Sequence, residues 1–362
     1  MTVLYGQPDH LSTSIQTAHL VSELRNWFDI KEYRIGSPIA NERIEKVRRV
    51  LLNLVWLLRN RSPAKYLLYA NDGVVDVRLC GRSYSVVYWY DTPWDYAAQP
   101  PSIFEWVDWL RCNNVKRADY VFGVSSTQVT LASQLRRGDG KGVHYLPVGV
   151  DCRMFDPESV NSSDARNQYS IPENSIVIGY VGYFGLVNGK FSAQALAEGA
   201  ETVLSGSPNA HYLIVGFGPG LELFKGRIRD QNLESRFTFT GRLAHAEIPM
   251  AIAAMDICID TLEDGFHSLA RSETKLKQYM AMGKACVGTG IGENIIDLDH
   301  GNCGILVDTS SEDLAKAIAT LIGDASLRIR LGRRARQRAL EIYDWPILAR
   351  SMAQALLAKA IE

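Results

Sequence analysis

The sequence predicts an α/β protein built from two doubly wound parallel sheets, and three observations carry that expectation. Short apolar runs alternate with helix-period stretches along the chain, the pattern of parallel strands joined by crossover helices. The chain has 362 residues, 46% hydrophobic and 22% charged, which is too long for one ordinary core. The stretch 156–175 turns polar, with Pro157, Asn161, Ser162, Ser163, Pro172 and Asn174, and reads as a linker between two such series.

In the first series, strands are expected at 3–5, 33–35, 66–69, 85–90, 120–124 and 143–146. Asn41 can cap a crossover helix whose inner stripe is Ile44, Val47, Leu51, Leu54, Val55 and Leu58. In the second, strands are expected at 176–181, 212–215, 237–240, 257–260 and 285–287, with helices at about 311–323, 325–340 and 345–361. Folds of this kind bind ligands at the carboxyl ends of their strands, so two side by side imply a cleft.

Composition excludes several functions. The net charge of −1 argues against nonspecific nucleic-acid binding, although residues 1–150 carry +4 and the remainder −5. The amino terminus holds Asp9 and His10 and lacks a signal-peptide pattern, and no apolar run approaches membrane-spanning length, so a cytoplasmic protein is expected. Cysteines 80, 112, 152, 258, 286 and 303 stand singly without metal-ligand spacing, and read as buried small hydrophobes in a reducing compartment.

Two glycine-rich turns matter. Gly216-Phe217-Gly218-Pro219-Gly220 follows a strand, but Leu221 stands where a dinucleotide fingerprint needs its third glycine, and 237–241 offers no acid for the ribose. The second turn runs Gly182-Tyr183-Phe184-Gly185-Leu186-Val187-Asn188-Gly189-Lys190, from a strand into a helix. Its glycines would let backbone approach a diphosphate, with helix N–H groups as donors and Lys190 as a cation. A plain strand-to-helix turn with a solvated lysine is the alternative.

Further motifs carry a family resemblance. Ala118-Asp119-Tyr120 through Ser125 resembles an "aD-x-v-i-x-v-S" strand end. Leu146-Pro147-Val148-Gly149-Val150-Asp151, then Phe155, resembles "i-P-N-G-V-D-x-x-x-F", with Val148 in place of asparagine. Tyr212 to Pro219 and Phe237 to Gly241 resemble the strands "l-i-v-G-x-G-p" and "v-x-f-x-G", and Gly292-Glu293-Asn294 through Val307 resembles "G-g-x-x-E-x-i" to "G-l-l-v". Tyr343-Asp344-Trp345 is similar to an aromatic pair before the last helix. The family is the retaining glycosyltransferases of family 4, glycosyl transferases group 1, with the GT-B fold of two Rossmann-like domains facing a central cleft. The resemblance implies a first domain of 1–165 completed by 345–362, whose helix crosses back, and a second of 166–344 that binds the donor.

The stretch from Ser272, a helix-capping serine, to Gly288 is similar to the branch "S-P-x-K-L-x-E-Y-M-A-x-G-K-P-V-V". Agreement falls at Ser272, Lys275, Leu276, Tyr279, Met280, Ala281, Gly283 and Lys284. In the family this helix lies against the nucleotide sugar and its final glutamate accepts both ribose hydroxyls; here that place is Gln278. An amide offers one good acceptor and no charge, so donor binding should weaken by about 1–3 kcal/mol without vanishing. The family's earlier glutamate falls on Ala270 by bare counting, on Asp264-Gly265-Phe266 if the loop is lengthened, or on Glu273 in the first helical turn; Asp264 is favoured. Where the family often carries "G-R-x(4)-K", this chain has Tyr183 instead of arginine and reaches Lys190 late. Lys190, Arg242, Arg271 and Lys275 are the candidate cations for the departing diphosphate.

The resemblance therefore implies sugar transfer from a nucleoside-diphosphate sugar, a UDP-sugar above others, to a carbohydrate or lipid-linked acceptor, with retention and no obligatory metal or cofactor. Cell-surface polysaccharide or glycoconjugate synthesis is the expected setting. The expected catalytic residues are Lys190, Lys275, Asp91 and Asp264; the expected donor-binding residues are Gly182, Tyr183, Gly185, Arg242, Gly265, Phe266, His267, Arg271, Glu273, Leu276 and Gln278. Asp91, after a strand, is a candidate acceptor contact or a turn former. Tyr88, Trp89, Tyr90, Trp94 and Tyr96 divide between core and sugar stacking. His10 either lies beside the phosphates or stands on the surface. The basic, apolar-striped stretch 41–65, with Trp56, is a crossover helix or a peripheral contact with the inner membrane face. The alternatives are a catalytically degenerate relative serving as a nucleotide-sugar or partner binding subunit and, more weakly, a GT-B epimerase.

Overall fold

A computed structural model of the chain describes residues 1–5, 12–34, 66–70, 85–90, 115–136, 140–187 and 190–358. The chain divides into two compact units: Met1–Gly149 with Leu269–Ser272 and Trp345–Glu362, and Val150–Ser268 with Glu273–Asp344. His10, the stretch 41–65, Asp91, Trp94 and Tyr96 lie outside the described residues.

Among the described residues the first unit holds one sheet of six parallel strands: β1 (Thr2–Tyr5), β2 (Lys31–Arg34), β3 (Tyr66–Ala70), β4 (Ser85–Tyr90), β5 (Tyr120–Gly123) and β6 (Val143–Tyr145), in the order β2-β1-β3-β4-β5-β6. Tyr88, Trp89 and Tyr90 lie on β4. Ser125 stops the chain after β5 in an extended conformation and caps the helix Ser126–Leu135, accepting from the Gln128 N–H. The core joins Leu20, Val21 and Leu24 of the helix Ser12–Leu24 to Leu348, Met352 and Leu356 of the helix Trp345–Ala358, beside Tyr120 and Phe122. The last helix thus completes this unit, as expected.

The second unit has β7 (Ile176–Tyr183), a two-stranded antiparallel hairpin of β8 (Leu186–Val187) and β9 (Lys190–Phe191), then β10 (Ala210–Phe217), β11 (Phe237–Gly241), β12 (Ile257–Asp260), β13 (Ala285–Thr289) and β14 (Ile305–Val307). Its main sheet is parallel with order β11-β10-β7-β12-β13-β14. Both faces are covered, one by a core containing Val177, Leu213, Leu276 and Tyr279, the other by one containing Ile178, Leu196, Ile214 and Ile318.

Two expectations need correcting. The polar stretch 156–175 is no linker: Phe155, Ala165 and Ile171 are buried in the second unit's core, and Asn161 caps the helix Ser162–Gln168. The units divide at Gly149/Val150 instead of 165/166, because those three apolar residues anchor the stretch. The turn after β7 does not lead straight into a helix either. The hairpin intervenes, and the helix Gln194–Gly206 starts only after Ala193, whose φ is 63°. Lys190 therefore sits on β9, away from the first turn of that helix.

The glycine-rich turn after β10 has a packing role. A Cβ at Gly216, where φ is +152°, would lie 1.9 Å from the Gly182 carbonyl oxygen. Only glycine lets the ends of β7 and β10 approach that closely.

Candidate functional site

Counted along the chain, the six main strands of the second unit run 3-2-1-4-5-6 across the sheet, so connections leave β7 in one direction and reach β12 in the other. The crevice outside the carboxyl ends of such diverging strands is where open α/β sheets bind ligands. Asp260 closes β12 with its side chain fully buried, and Tyr180 comes from β7, 1% exposed. Lys275 meets both. Its Nζ is 3.1 Å from Asp260 Oδ1, 3.5 Å from Glu273 Oε2 and 3.5 Å from the Tyr180 hydroxyl, and lies 4.9 Å from the centre of the Tyr180 ring. Burial pushes the Tyr180 phenol above its ordinary pKa, with the Lys275 ammonium opposing it. Among the described residues two carboxylates, those of Asp260 and Glu273, lie within ion-pair distance of the Lys275 ammonium.

The helix Thr274–Ala281 places these groups. It begins one residue later than Ser272 capping requires: Glu273, not Ser272, occupies the N-cap, and its carboxylate turns to Lys275 instead of capping N–H groups. The helix ends in a Schellman motif, in which the Lys284 N–H bonds to the Tyr279 carbonyl, the Gly283 N–H bonds to the Met280 carbonyl, and Gly283 adopts φ 65°. Nearly the whole helix is buried. Leu276 packs in the core, so its side chain does not face a ligand, and the Tyr279 hydroxyl accepts from the Val181 N–H at 2.7 Å, tying the helix to β7. Gln278 is 7% exposed, and among the described residues no hydrogen bond engages its amide.

Three other expected positions gather at the ends of neighbouring strands. Tyr183, at the end of β7 after Gly182, stands edge-on to Phe217 at 5.4 Å, and Arg242, following β11, lies 4.7 Å over the Phe217 ring. Both aromatics are exposed, Tyr183 by 58%. Gly185 turns into the hairpin, its N–H donating to Ser192 Oγ at 3.0 Å. Asp264 lines a polar cavity of about 210 Å³ at the carboxyl ends of β12 and β13, with Thr261, Thr289 and Asp308, at the start of the helix Gln194–Gly206. Gly265 follows at φ +146°, Phe266 and His267 open the short helix Phe266–Ala270, and Arg271 is exposed within the first unit. In that unit Ser125 Oγ donates to the Ala270 carbonyl at 2.9 Å, which gives Ala270, the bare-counting choice for the family's glutamate, a backbone role.

Residues 175–324 match the family model described as glycosyl transferases group 1. They belong to that family. Over 250 residues the chain is 27% identical to a GDP-mannose-dependent alpha-(1-6)-phosphatidylinositol monomannoside mannosyltransferase of Mycobacterium tuberculosis, covering 66% of this chain and 61% of the relative. It is 26% identical over 248 residues to 2-deoxystreptamine glucosyltransferase of Streptomyces kanamyceticus, covering 62% of each. The match spans about three fifths of these curated relatives' length. Among solved structures, HepE of Anabaena in complex with UDP superposes with a TM-score of 0.76 at 17% identity, over 99% of this chain and 100% of that one. The fold is the GT-B type expected.

Set within the glycosyl transferases group 1 pattern, the structure adds two residues that the sequence reading passed over, Asp260 and Tyr180. Asp260 had a signal, as the single charge ending the apolar run Ile257-Cys258-Ile259. Tyr180, inside an apolar strand, had none, because its role depends on Lys275, distant in sequence. Asp91 lies outside the described residues, and of Lys190 only its place on β9 is described.

Proposed function

We propose that the chain is a retaining, metal-independent glycosyltransferase that takes a nucleoside-diphosphate sugar, UDP-sugars first, at the carboxyl ends of β7, β10, β12 and β13. One observation carries this reading. Gln278 is almost wholly buried, on a helix fixed at the switch point, yet its amide has no partner among the described residues. Unlike the sealed amide of Asn294, this one is not closed off from solvent, and a ribose hydroxyl can take the place of water on it. The family match and a neighbour solved with UDP support the same ligand class.

Sugar transfer builds negative charge on the departing diphosphate while the anomeric carbon becomes cationic. Groups aimed at the diphosphate lower that barrier without rearranging during the reaction. With Lys275 shared between Asp260 and Glu273, we assign the neutralising charge to Lys190 and Arg242, and to Lys275 the task of keeping two buried carboxylates in place. The acceptor is a hydroxyl of a carbohydrate or lipid-linked glycan in cell-surface glycoconjugate synthesis, at the cytoplasmic face of the membrane. Among the described residues no helix is long and apolar enough to cross a membrane, which suits attachment from one side.

A melting-temperature screen with UDP, GDP and ADP and their sugars tests the donor, because a ligand that prefers the native state raises the transition. Isotope transfer to acceptors then tests turnover, and the anomeric coupling of the product tests retention. No shift with any nucleotide refutes the reading. Binding without transfer to any acceptor moves it to a binding subunit, and an inverted product refutes retention.

A further inference from the structure

One residue before Gln278, the helix Thr274–Ala281 buries a second lysine completely. Lys277 is 0% exposed and forms an ion pair with Asp297, also 0% exposed, at the end of the helix Glu293–Asp297. The Tyr343 ring lies under the ammonium, 5.4 Å from Nζ to its centre, and its hydroxyl stands near enough to the Asp297 carboxylate to favour the charged form against the burial that raises its pKa. Arg338 donates to the Ile296 and Asp297 carbonyls at 2.8 and 3.0 Å. Three elements therefore meet at one charged contact inside the second unit: the helix carrying Gln278, the helix after β13, and the π-helical turn Ala339–Tyr343.

Stability alone gives a poor account of this arrangement. Taking both ions out of water costs several kcal/mol each, and well-packed apolar residues of similar volume are often as stable or better. The network is also incompletely satisfied, since Asp297 Oδ1 and both amide atoms of the buried Asn294 lack hydrogen-bond partners among the described residues. Apolar contacts, by contrast, tolerate small rotations and slides of a helix. A point contact between charges admits one setting, and buried polar contacts are best attested in that role of fixing register.

Helix geometry says what that setting controls. Successive residues are 100° apart around a helix. With Lys277 pinned to Asp297, the side of the helix that carries Gln278 is fixed, and with it Lys275, three residues earlier. We propose that Lys277, Asp297 and Tyr343 are positioning residues, which lock the rotation of the helix Thr274–Ala281 so that Gln278 faces the donor ribose. The proposal rests on the nucleotide-sugar reading above and deepens it.

The test separates stability from placement. Lys277→Met leaves the Asp297 carboxylate stranded and should lower the melting temperature sharply. Lys277→Met/Asp297→Leu removes both charges and should melt near the wild-type temperature, yet bind UDP about tenfold or more weakly by calorimetry. Gln278→Ala should then weaken UDP binding several-fold in the wild-type background and scarcely at all in the double variant, because the amide there is already misplaced. If the double variant fails to fold, Tyr343→Phe, which removes only the hydroxyl beside Asp297, should weaken UDP binding about threefold with melting nearly unchanged. Wild-type UDP affinity in the double variant or in Tyr343→Phe, or an equal Gln278→Ala effect in both backgrounds, overturns the positioning role and leaves the functional reading standing. A wild-type protein that binds none of UDP, GDP and ADP sinks both.

Discussion

Replacing Lys275 by methionine keeps length and removes charge from the most buried part of the candidate site. In the wild type, Nζ sits 3.1 Å from a fully buried Asp260 and 3.5 Å from Glu273, over the Tyr180 ring. Removing one partner of a buried pair costs about 3–5 kcal/mol, mostly from the charge left behind. The ring contact, worth about 0.5–2 kcal/mol, overlaps with that loss and is not added. At a urea dependence of about 2 kcal/mol per molar, the midpoint should fall by about 2 M. The chain supplies its own control. Residues 150–344 contain no tryptophan, so tryptophan emission does not come from the second unit while ellipticity reports both. Lys275→Met should move the ellipticity transition well ahead of the fluorescence one, and adding Asp260→Asn should recover much of the loss. A midpoint within about 0.3 M of wild type, or no recovery on neutralising Asp260, would refute the account of Lys275 as the holder of two buried acids.

Further outcomes follow from other residues. Gln278→Glu restores a charge-assisted acceptor and should tighten UDP about five- to tenfold by calorimetry; weaker binding counts against the ribose placement. Gly216→Ala puts a methyl 1.9 Å from the Gly182 oxygen at φ +152° and should destabilise the second unit by at least about 2 kcal/mol in urea, so a wild-type midpoint contradicts the close approach of β7 and β10. His211 is buried beside Arg236, and burial first, then that guanidinium, pulls its pKa below the ordinary value. The unfolded chain therefore binds the proton more readily, and the stability is complete above about pH 6.5 and drains as pH falls. His211→Gln should flatten the decline in melting temperature between pH 7.5 and 5.5; an unchanged slope removes His211 from the account.

The fold was largely legible because its determinants are local. Apolar runs such as Ile257-Cys258-Ile259 and caps such as Ser310 and Asp324 depend on neighbours in sequence, and the helices 311–323 and 325–338 begin where those caps stand. Segments failed where a sparse set of contacts outweighed composition. Phe155, Ala165 and Ile171 convert a polar stretch into part of a core. Gln278 and Lys275 could be singled out as candidates because they sit in a dense motif. Charge compensation between distant segments was not legible: nothing near Lys277 in sequence announces Asp297, and nothing near Lys275 announces Tyr180.

The helix Trp345–Ala358 belongs to the first unit, with Leu348, Met352 and Leu356 in its core. Translation delivers those residues only after the whole second unit has been made, so the unit begun earlier is finished later. Until then Leu20, Val21 and Leu24 wait without their partners, an exposed apolar surface on a growing chain. Nascent protein halted near Asp344 is therefore the form most in need of a chaperone, and a carboxyl-terminal deletion should harm the amino-terminal half first.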